Sequence, residues 1–200
     1  MNSKNTSDKA RMLVNSLLID LEVSFVMRQI KAISEVTYEH SINTAFITAQ
    51  ILVQKTLSEK EIIAITKGAL LHDIGKLKTP IWLLEKKDYL TEEEKGIIKK
   101  HPTEGIVLLK KYFEKPQSSI IQDIVRYHHA KEDGSGYPEI PEGFSIPWYV
   151  SLVRTVDAYE AMTAVRTYGN VYSREEALKL LKEGNFPSEM IYDILTCDIN

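Results

Sequence analysis

His72 and Asp73 arrive together within GALLHDIGK, Gly68 to Lys76, at the end of an apolar, helix-like run that also delivers Lys76. A His-Asp pair alone is weak evidence, because most such pairs are ordinary surface or helix-end residues. The other histidines add weight by their placement. The chain has five, at 40, 72, 101, 128 and 129, and all but His40 fall where helical periodicity meets a break, beside an aspartate, a proline or a second histidine. Imidazole and carboxylate ligands suit divalent iron, manganese, nickel, cobalt or zinc, while a single cysteine, Cys197, argues against a structural thiolate zinc site. The residues read as a buried metal site assembled from His40, His72, Asp73, His101, His128, His129 and the later Asp157. One ion cannot use so many ligands. Two ions bridged by an aspartate can, and a dinuclear centre is the usual way to activate water against a phosphoryl group.

Each residue also has an ordinary explanation. His40 alone would be a satisfied, partly buried histidine, and His101 before a proline would be a helix-end residue on the dipole. The joint site is the better reading because it accounts for all of them at once. It also imposes geometry: neighbouring residues on a helix point about 100° apart. His72 with Asp73, and His128 with His129, must therefore each sit at the end of an element.

The elements that would position them are helical. Residues 8–33 carry Met12, Leu13, Leu17, Leu18, Leu21, Phe25, Val26 and Ile30 at helical spacing, as one or two packing helices. A second stretch should run from near Thr37 to about Lys55, with Ile42, Ala45, Phe46, Ala49, Ile51 and Leu52 inward. Ser58 with Glu61 forms a capping-box pattern for the helix that ends at His72, and Gly75 and Pro80 supply its stop. Residues 77–91 look like an irregular connector. Thr91 with Glu94 caps the next run, which passes His101 and ends at Pro116. Ser118 or Ser119 begins a short helix delivering His128 and His129. The loop DGSGYPEIPEG, Asp133 to Gly143, is rich in turn residues. Helix returns near Pro147, and two more helices follow Ser173 with its Glu176 partner and Pro187. No hairpin pattern stands out, so the fold class is all-α.

With 44% apolar residues, the chain suits one globular domain. A net charge of -3 carries no basic surplus, which disfavours duplex nucleic acid as a partner. The lone cysteine and the absence of a signal-peptide pattern lead us to expect a cytoplasmic setting. No run approaches the roughly 18 apolar residues of a membrane span.

HDIGK at 72–76, HPTEG at 101–105, HHAKEDGSGYP at 128–138 and VDAYEAMTAVR at 156–166 resemble, in order and spacing, the HD-GYP family, a branch of the HD superfamily of metal-dependent phosphohydrolases. The resemblance covers roughly residues 36–170. It implies an HD-domain helical bundle with a GYP loop between the paired histidines and the following core helix. Residues 36–170 would be the catalytic core, 1–35 would be packing helices of the same globular unit, and 171–200 would be C-terminal helices. It further implies two divalent ions, iron or manganese, and hydrolysis of cyclic di-GMP to linear pGpG, with a hybrid cyclic GMP-AMP dinucleotide as the substrate of some members.

Carried over by motif, Asp73 would bridge the ions, His40, His72 and Asp157 would complete one, and His101, His128 and His129 the other. Lys76 would bind the phosphoryl oxygens and help protonate the leaving group, and Arg166 would hold the second phosphate or a guanine edge. Tyr137 and Pro138 would shape the loop or contact a partner such as a diguanylate cyclase, and Asp133 would cap it. Val36 replaces the glutamate of three-metal members, so two metals are expected. Ala130, Glu160 and Gly169 depart from the glutamate, the aspartate and the basic residue usual at those places. The family is usually fused to a sensor, for which this chain has no room, so regulation is expected to be intermolecular or absent. The alternatives are a phosphohydrolase of mononucleotides and a catalytically impaired module that binds cyclic dinucleotides.

Overall fold

Ser, Thr and Asp side chains cut the chain into helices by accepting the first unpaired backbone N–H groups. The computed structural model describes residues 3–164 and 171–197. In order these form α1 (Ser3–Ile19), α2 (Leu21–Ile33), α3 (Glu35–Leu52), α4 (Glu59–Leu71), a 3-10 turn (Ile74–Lys78), α5 (Ile81–Leu84), α6 (Glu92–Ile98), α7 (His101–Tyr112), α8 (Ser119–Tyr127), α9 (Trp148–Thr163), α10 (Arg174–Glu183) and α11 (Ser188–Thr196). Among the described residues there is no strand, and the fold is all-α. None of the described helices is long and apolar enough to cross a membrane.

The capping boxes expected at Ser58–Glu61, Thr91–Glu94 and Ser173–Glu176 are all formed. Ser118, not Ser119, caps α8. The run over residues 8–33, expected as one or two helices, is two, divided at Asp20, whose carboxylate accepts from Glu22 and Val23 N–H and starts α2. The third helix starts at Glu35, ahead of Thr37, because Ser34 accepts from Thr37 N–H as its cap, and it stops at Leu52 rather than Lys55. The connector over 77–91 holds the short helix α5.

α3 lies at the centre, packed on α1, α2, α4 and α9, while the opposite side of α4 meets α8. Ala45, Ala49 and Leu52 of α3, Ala69 and Leu70 of α4, Ile124 and Val125 of α8, and Val150, Val153 and Val156 of α9 are all fully buried in one continuous core. Ile42 and Phe46, expected to face inward, are only partly buried against it.

Gly75 has a different part from the helix stop expected of it. α4 ends at Leu71, before His72, and the chain tightens through Gly75 into the 3-10 turn that packs on α7. A Cβ at Gly75 would stand 1.8 Å from the His101 carbonyl oxygen. The residue is glycine because two backbones meet there, which brings the His72–Asp73 segment against the start of α7. Gly75→Ala should therefore destabilise by about 3 kcal/mol through overpacking. Gly96→Ala, in exposed α6 where a Cβ meets nothing within 4 Å, should be neutral or stabilising by up to about 1 kcal/mol. Urea denaturation of the two variants checks the contrast, and equal effects would refute the close-approach explanation.

Candidate metal centre

Five elements converge on one point. α3 brings His40 from its middle, the chain leaving α4 carries His72 and Asp73, α7 begins with His101, the chain leaving α8 carries His128 and His129, and α9 carries Asp157. His72 and His128 occupy the C-cap positions of their helices, which lets each following residue turn toward the same centre. Asp73 is 1% exposed, and His72 and His128 are fully buried. A carboxylate so far from water needs cations or donors around it. The structure brings all seven sequence-derived ligand candidates together.

Backbone carbonyls fix the histidine tautomers. Nδ1–H of His72 donates to Ala69 O at 2.7 Å, that of His101 to Ile98 O at 2.8 Å, and that of His128 to Ile124 O at 3.1 Å. A carbonyl can only accept, so in each neutral ring the lone pair is on Nε2. Those lone pairs face inward. His101 Nε2 and His128 Nε2 lie 3.1 Å apart, and neither can donate to the other in this tautomer. His72 Nε2 and Asp73 Oδ1 are buried without a hydrogen-bond partner. Asp73 Oδ1 faces His101 Nε2 at 3.3 Å, and its Oδ2 faces His72 Nε2 at 3.4 Å and His40 Nε2 at 3.9 Å. His40 Nε2 approaches Asp157 Oδ1 at 2.9 Å.

The donors fall into three overlapping groups with ligand atoms within 4.8 Å of one another: His101, His128 and His129; His40, His72 and Asp157; and His72, Asp73 and His128. Converging lone pairs and orphaned acceptors fit divalent cations that prefer nitrogen and oxygen.

Glu160 belongs to this site, although from sequence it was only a replacement for the family's aspartate. One turn beyond Asp157 on α9, its Oε2 accepts from His40 Nδ1–H and its Oε1 from Asn43 Nδ2 at 3.0 Å. A carboxylate behind an imidazole orients the ring and raises its basicity. The Asp157–Glu160 spacing of three residues on a helix was the available signal.

A cavity of about 420 Å³ opens onto the centre, lined by His40, His101, His129 and Asp157 together with Lys76, Lys131, Tyr137 and Arg154. Lys76 Nζ donates to Asp73 Oδ2 at 2.6 Å, so its ammonium stands beside the central carboxylate. Tyr137 stacks on His129 with ring centroids 4.7 Å apart, and its N–H donates to His129 O at 3.1 Å. The GYP loop thus forms a wall of the cavity. Gly136 is needed for that turn, since a Cβ there would stand 2.4 Å from His129 O. Asp133 caps the loop as expected, accepting from Ser135 N–H at 2.9 Å and from its hydroxyl. Ala130 is buried, and its carbonyl accepts from Arg154 Nη1 at 3.2 Å. Arg166 and Gly169 lie outside the described residues.

Burial drives the charged states apart. It pushes His101 down to about 3 and lowers His128 and His129, keeping their lone pairs free. Burial also disfavours charge on His40, but the hydrogen bonds to Asp157 and Glu160 outweigh it and push its pKa up to about 9. Burial opposes the Asp73 carboxylate too, yet Lys76, His72 and His101 hold its pKa well below the usual range.

These shifts set the pH profile of chelated, metal-free protein. Between about 3 and the ordinary 6.5, the unfolded chain protonates His101 more than the folded chain does, so stability falls with acid at up to about 1.4 kcal/mol per pH unit, and the lowered pKa values of His128 and His129 act in the same direction. His40 acts oppositely, and its contribution, present below 6.5, is lost as pH rises through about 9. Stability should peak near pH 6.5 with the acid limb steeper, as read by urea midpoints in chelator; a maximum above pH 8 would contradict the assignment. Glu160→Ala should weaken metal binding about 10- to 100-fold, measured by competition with a chromogenic chelator.

A family model described as HD domain matches residues 16–186. The cyclic di-GMP phosphodiesterase response regulator RpfG of Xanthomonas campestris is 37% identical over 131 residues, covering 64% of this chain and 34% of that protein. The 3'3'-cGAMP-specific phosphodiesterase 1 of Vibrio cholerae is 28% identical over 170 residues, covering 83% and 38% respectively. The chain thus spans between 34% and 38% of the length of these two relatives. Bd1817, an HDG"Y"P protein from Bdellovibrio bacteriovorus, shares the fold with a TM-score of 0.60 and 20% identity, over 94% of this chain and 69% of that one. The family match spans most of the chain, and the motif residues of HDIGK, HPTEG and HHAKEDGSGYP meet at one cluster; the chain belongs to the HD domain family, in its HD-GYP branch.

Proposed function

We propose that this chain is a metal-dependent phosphodiesterase that hydrolyses cyclic di-GMP to linear pGpG in the cytoplasm, with residues 36–170 as its catalytic core. One observation carries the reading: two sets of three donors flank Asp73, whose oxygens face different histidines, at the floor of a cavity with cations on its wall. The relatives named for cyclic di-GMP and for cGAMP support a cyclic dinucleotide as the substrate class.

In this reading His40, His72 and Asp157 would hold one ion, His101, His128 and His129 would hold the other, and Asp73 would contribute a carboxylate to both. The nitrogen and oxygen donors are compatible with iron or manganese, the ions that the family resemblance implies. When bound, such ions supply Lewis-acid polarisation of a phosphoryl oxygen and lower the pKa of water. The protein's own groups supply the rest. Lys76, beside Asp73, places positive charge where the phosphoryl oxygens gain negative charge, and it can deliver a proton to the departing ribose oxygen. Glu160 keeps the His40 ring in register. Tyr137, stacked on His129, fixes one wall and excludes water from that side. Arg166 is assigned to a guanine edge of the substrate. The GYP loop, with Tyr137 and Pro138, is assigned to contact with a diguanylate cyclase.

Anaerobically purified protein loaded with iron or manganese should convert cyclic di-GMP to linear pGpG, resolved by chromatography. Chelator should abolish turnover, and Asp73→Ala should lower kcat/KM by about a thousandfold or more. Release of phosphate from nucleoside monophosphates with cyclic dinucleotides left intact would overturn the reading.

A further inference from the structure

Arg154 sits in the cavity without an anion. It is 9% exposed, projects from α9 one turn before Asp157, and lines the same cavity as the histidines and Lys76. Its guanidinium lies over the Phe186 ring, 4.6 Å from the centroid, which holds the plane of the group. Of its five N–H donors, Nη1 is spent on Ala130 O at 3.2 Å, and Nε–H is buried with no acceptor. No carboxylate among the described residues pairs with it within 4 Å. Asp133 and Glu132 attract it only from a distance, and Asp133 is engaged with Ser135.

A buried, planar cation with unspent donors costs desolvation that neither a carbonyl nor a ring face offsets. A ligand that brings two acceptor oxygens in one plane would offset it, and phosphate oxygens match the guanidinium fork. Residues three apart on a helix share a face at roughly 5–6 Å between Cβ atoms, so this donor set stands next to Asp157 and the metal groups.

Resting on the reading of a cyclic dinucleotide substrate, we propose that Arg154, held by Phe186 and the Ala130 carbonyl, is the subsite for the second, uncleaved phosphodiester. A cyclic dinucleotide carries two phosphodiesters in one rigid ring. With one at Asp73 and Lys76, the other is anchored by Arg154, which selects cyclic dinucleotides over diesters bearing a single phosphate.

The test uses metal-loaded full chain and Arg154→Met, which keeps the stem on Phe186, with Arg154→Lys as a second variant that keeps charge but loses the fork. Substrates are cyclic di-GMP, 3'3'-cGAMP, cyclic di-AMP and the small diester bis(p-nitrophenyl) phosphate. Arg154→Met should raise KM about tenfold to a hundredfold, by a similar factor for each cyclic dinucleotide the wild type accepts, with little change in kcat. Arg154→Lys should fall between, and the loss of kcat/KM on the one-phosphate probe should be at least tenfold smaller. No change in KM, an equal loss on the probe, or a loss confined to guanine-bearing substrates would overturn the subsite while leaving the proposed activity standing. If the wild type binds cyclic dinucleotides without cleaving them, the hydrolytic reading falls and calorimetric Kd values for the variants decide the subsite. If it cleaves the probe but neither binds nor cleaves any cyclic dinucleotide, both fall.

Discussion

The arrangement depends on imidazole lone pairs that are aimed at one another and cannot turn away. Each Nδ1–H of His72, His101 and His128 is tied to a carbonyl about one turn back in its own segment, so rotating a ring inward or outward would break a backbone-anchored hydrogen bond. The Nε2 atoms therefore meet in a buried space beside the carboxylate oxygens of Asp73 and Asp157. A protein interior tolerates such opposed acceptors only when cations or protons lie among them. Fold stability and occupancy of the centre are then coupled, because any cation that binds the folded donors and not the unfolded chain adds RT ln(1 + [L]/Kd) to stability.

The same constraint explains the helix ends. A mid-helix pair such as His72–Asp73 would diverge by about 100°, whereas the termination of α4 at Leu71 and the tight 3-10 turn allow both side chains to face one centre. Gly75 then lets that turn press against the His101 backbone. The packing of α3 on α4, which buries Ser41, Thr44 and Thr48 beside Ala45, Ala49 and Leu52, holds His40 opposite this junction, so the position of the centre is set by core packing rather than by loops.

How much of this could be read in advance follows from where each signal resides. Caps are local, and Ser58, Thr91 and Ser173 with their glutamates were legible because donor and acceptor lie three residues apart. Histidines beside breaks were legible because helix ends are the places where a side chain can leave the helical face. Asp20 was missed as a divider, since an apolar stripe continues across it and only the carboxylate's grip on Glu22 and Val23 N–H makes the break. By its local habit Gly75 reads as a helix stop, whereas its reason is a backbone 26 positions away in sequence. Glu160 and Arg154 escaped for a related reason. A charged residue on an amphipathic helix defaults to the solvated face, and only the packing of α9 on α3 turns this face inward.

That inward face of α9 divides the cavity electrically. Asp157 puts a carboxylate at its floor, with Glu160 behind His40 and Asp73 behind Lys76, while Lys76, Lys131 and Arg154 put cations around its wall. An anionic ligand entering the metal-free protein is drawn to the wall but repelled by the floor, apart from the part of Asp73 that Lys76 neutralises. Cations bound among the histidines reverse the sign at the floor, and the reversal is strong because the groups are shielded from water. Anion affinity and metal occupancy are thus two ends of one linkage, and each must raise the other by the same factor. By charge alone, a cavity whose donors hold cations would bind a phosphate more tightly than the metal-free one.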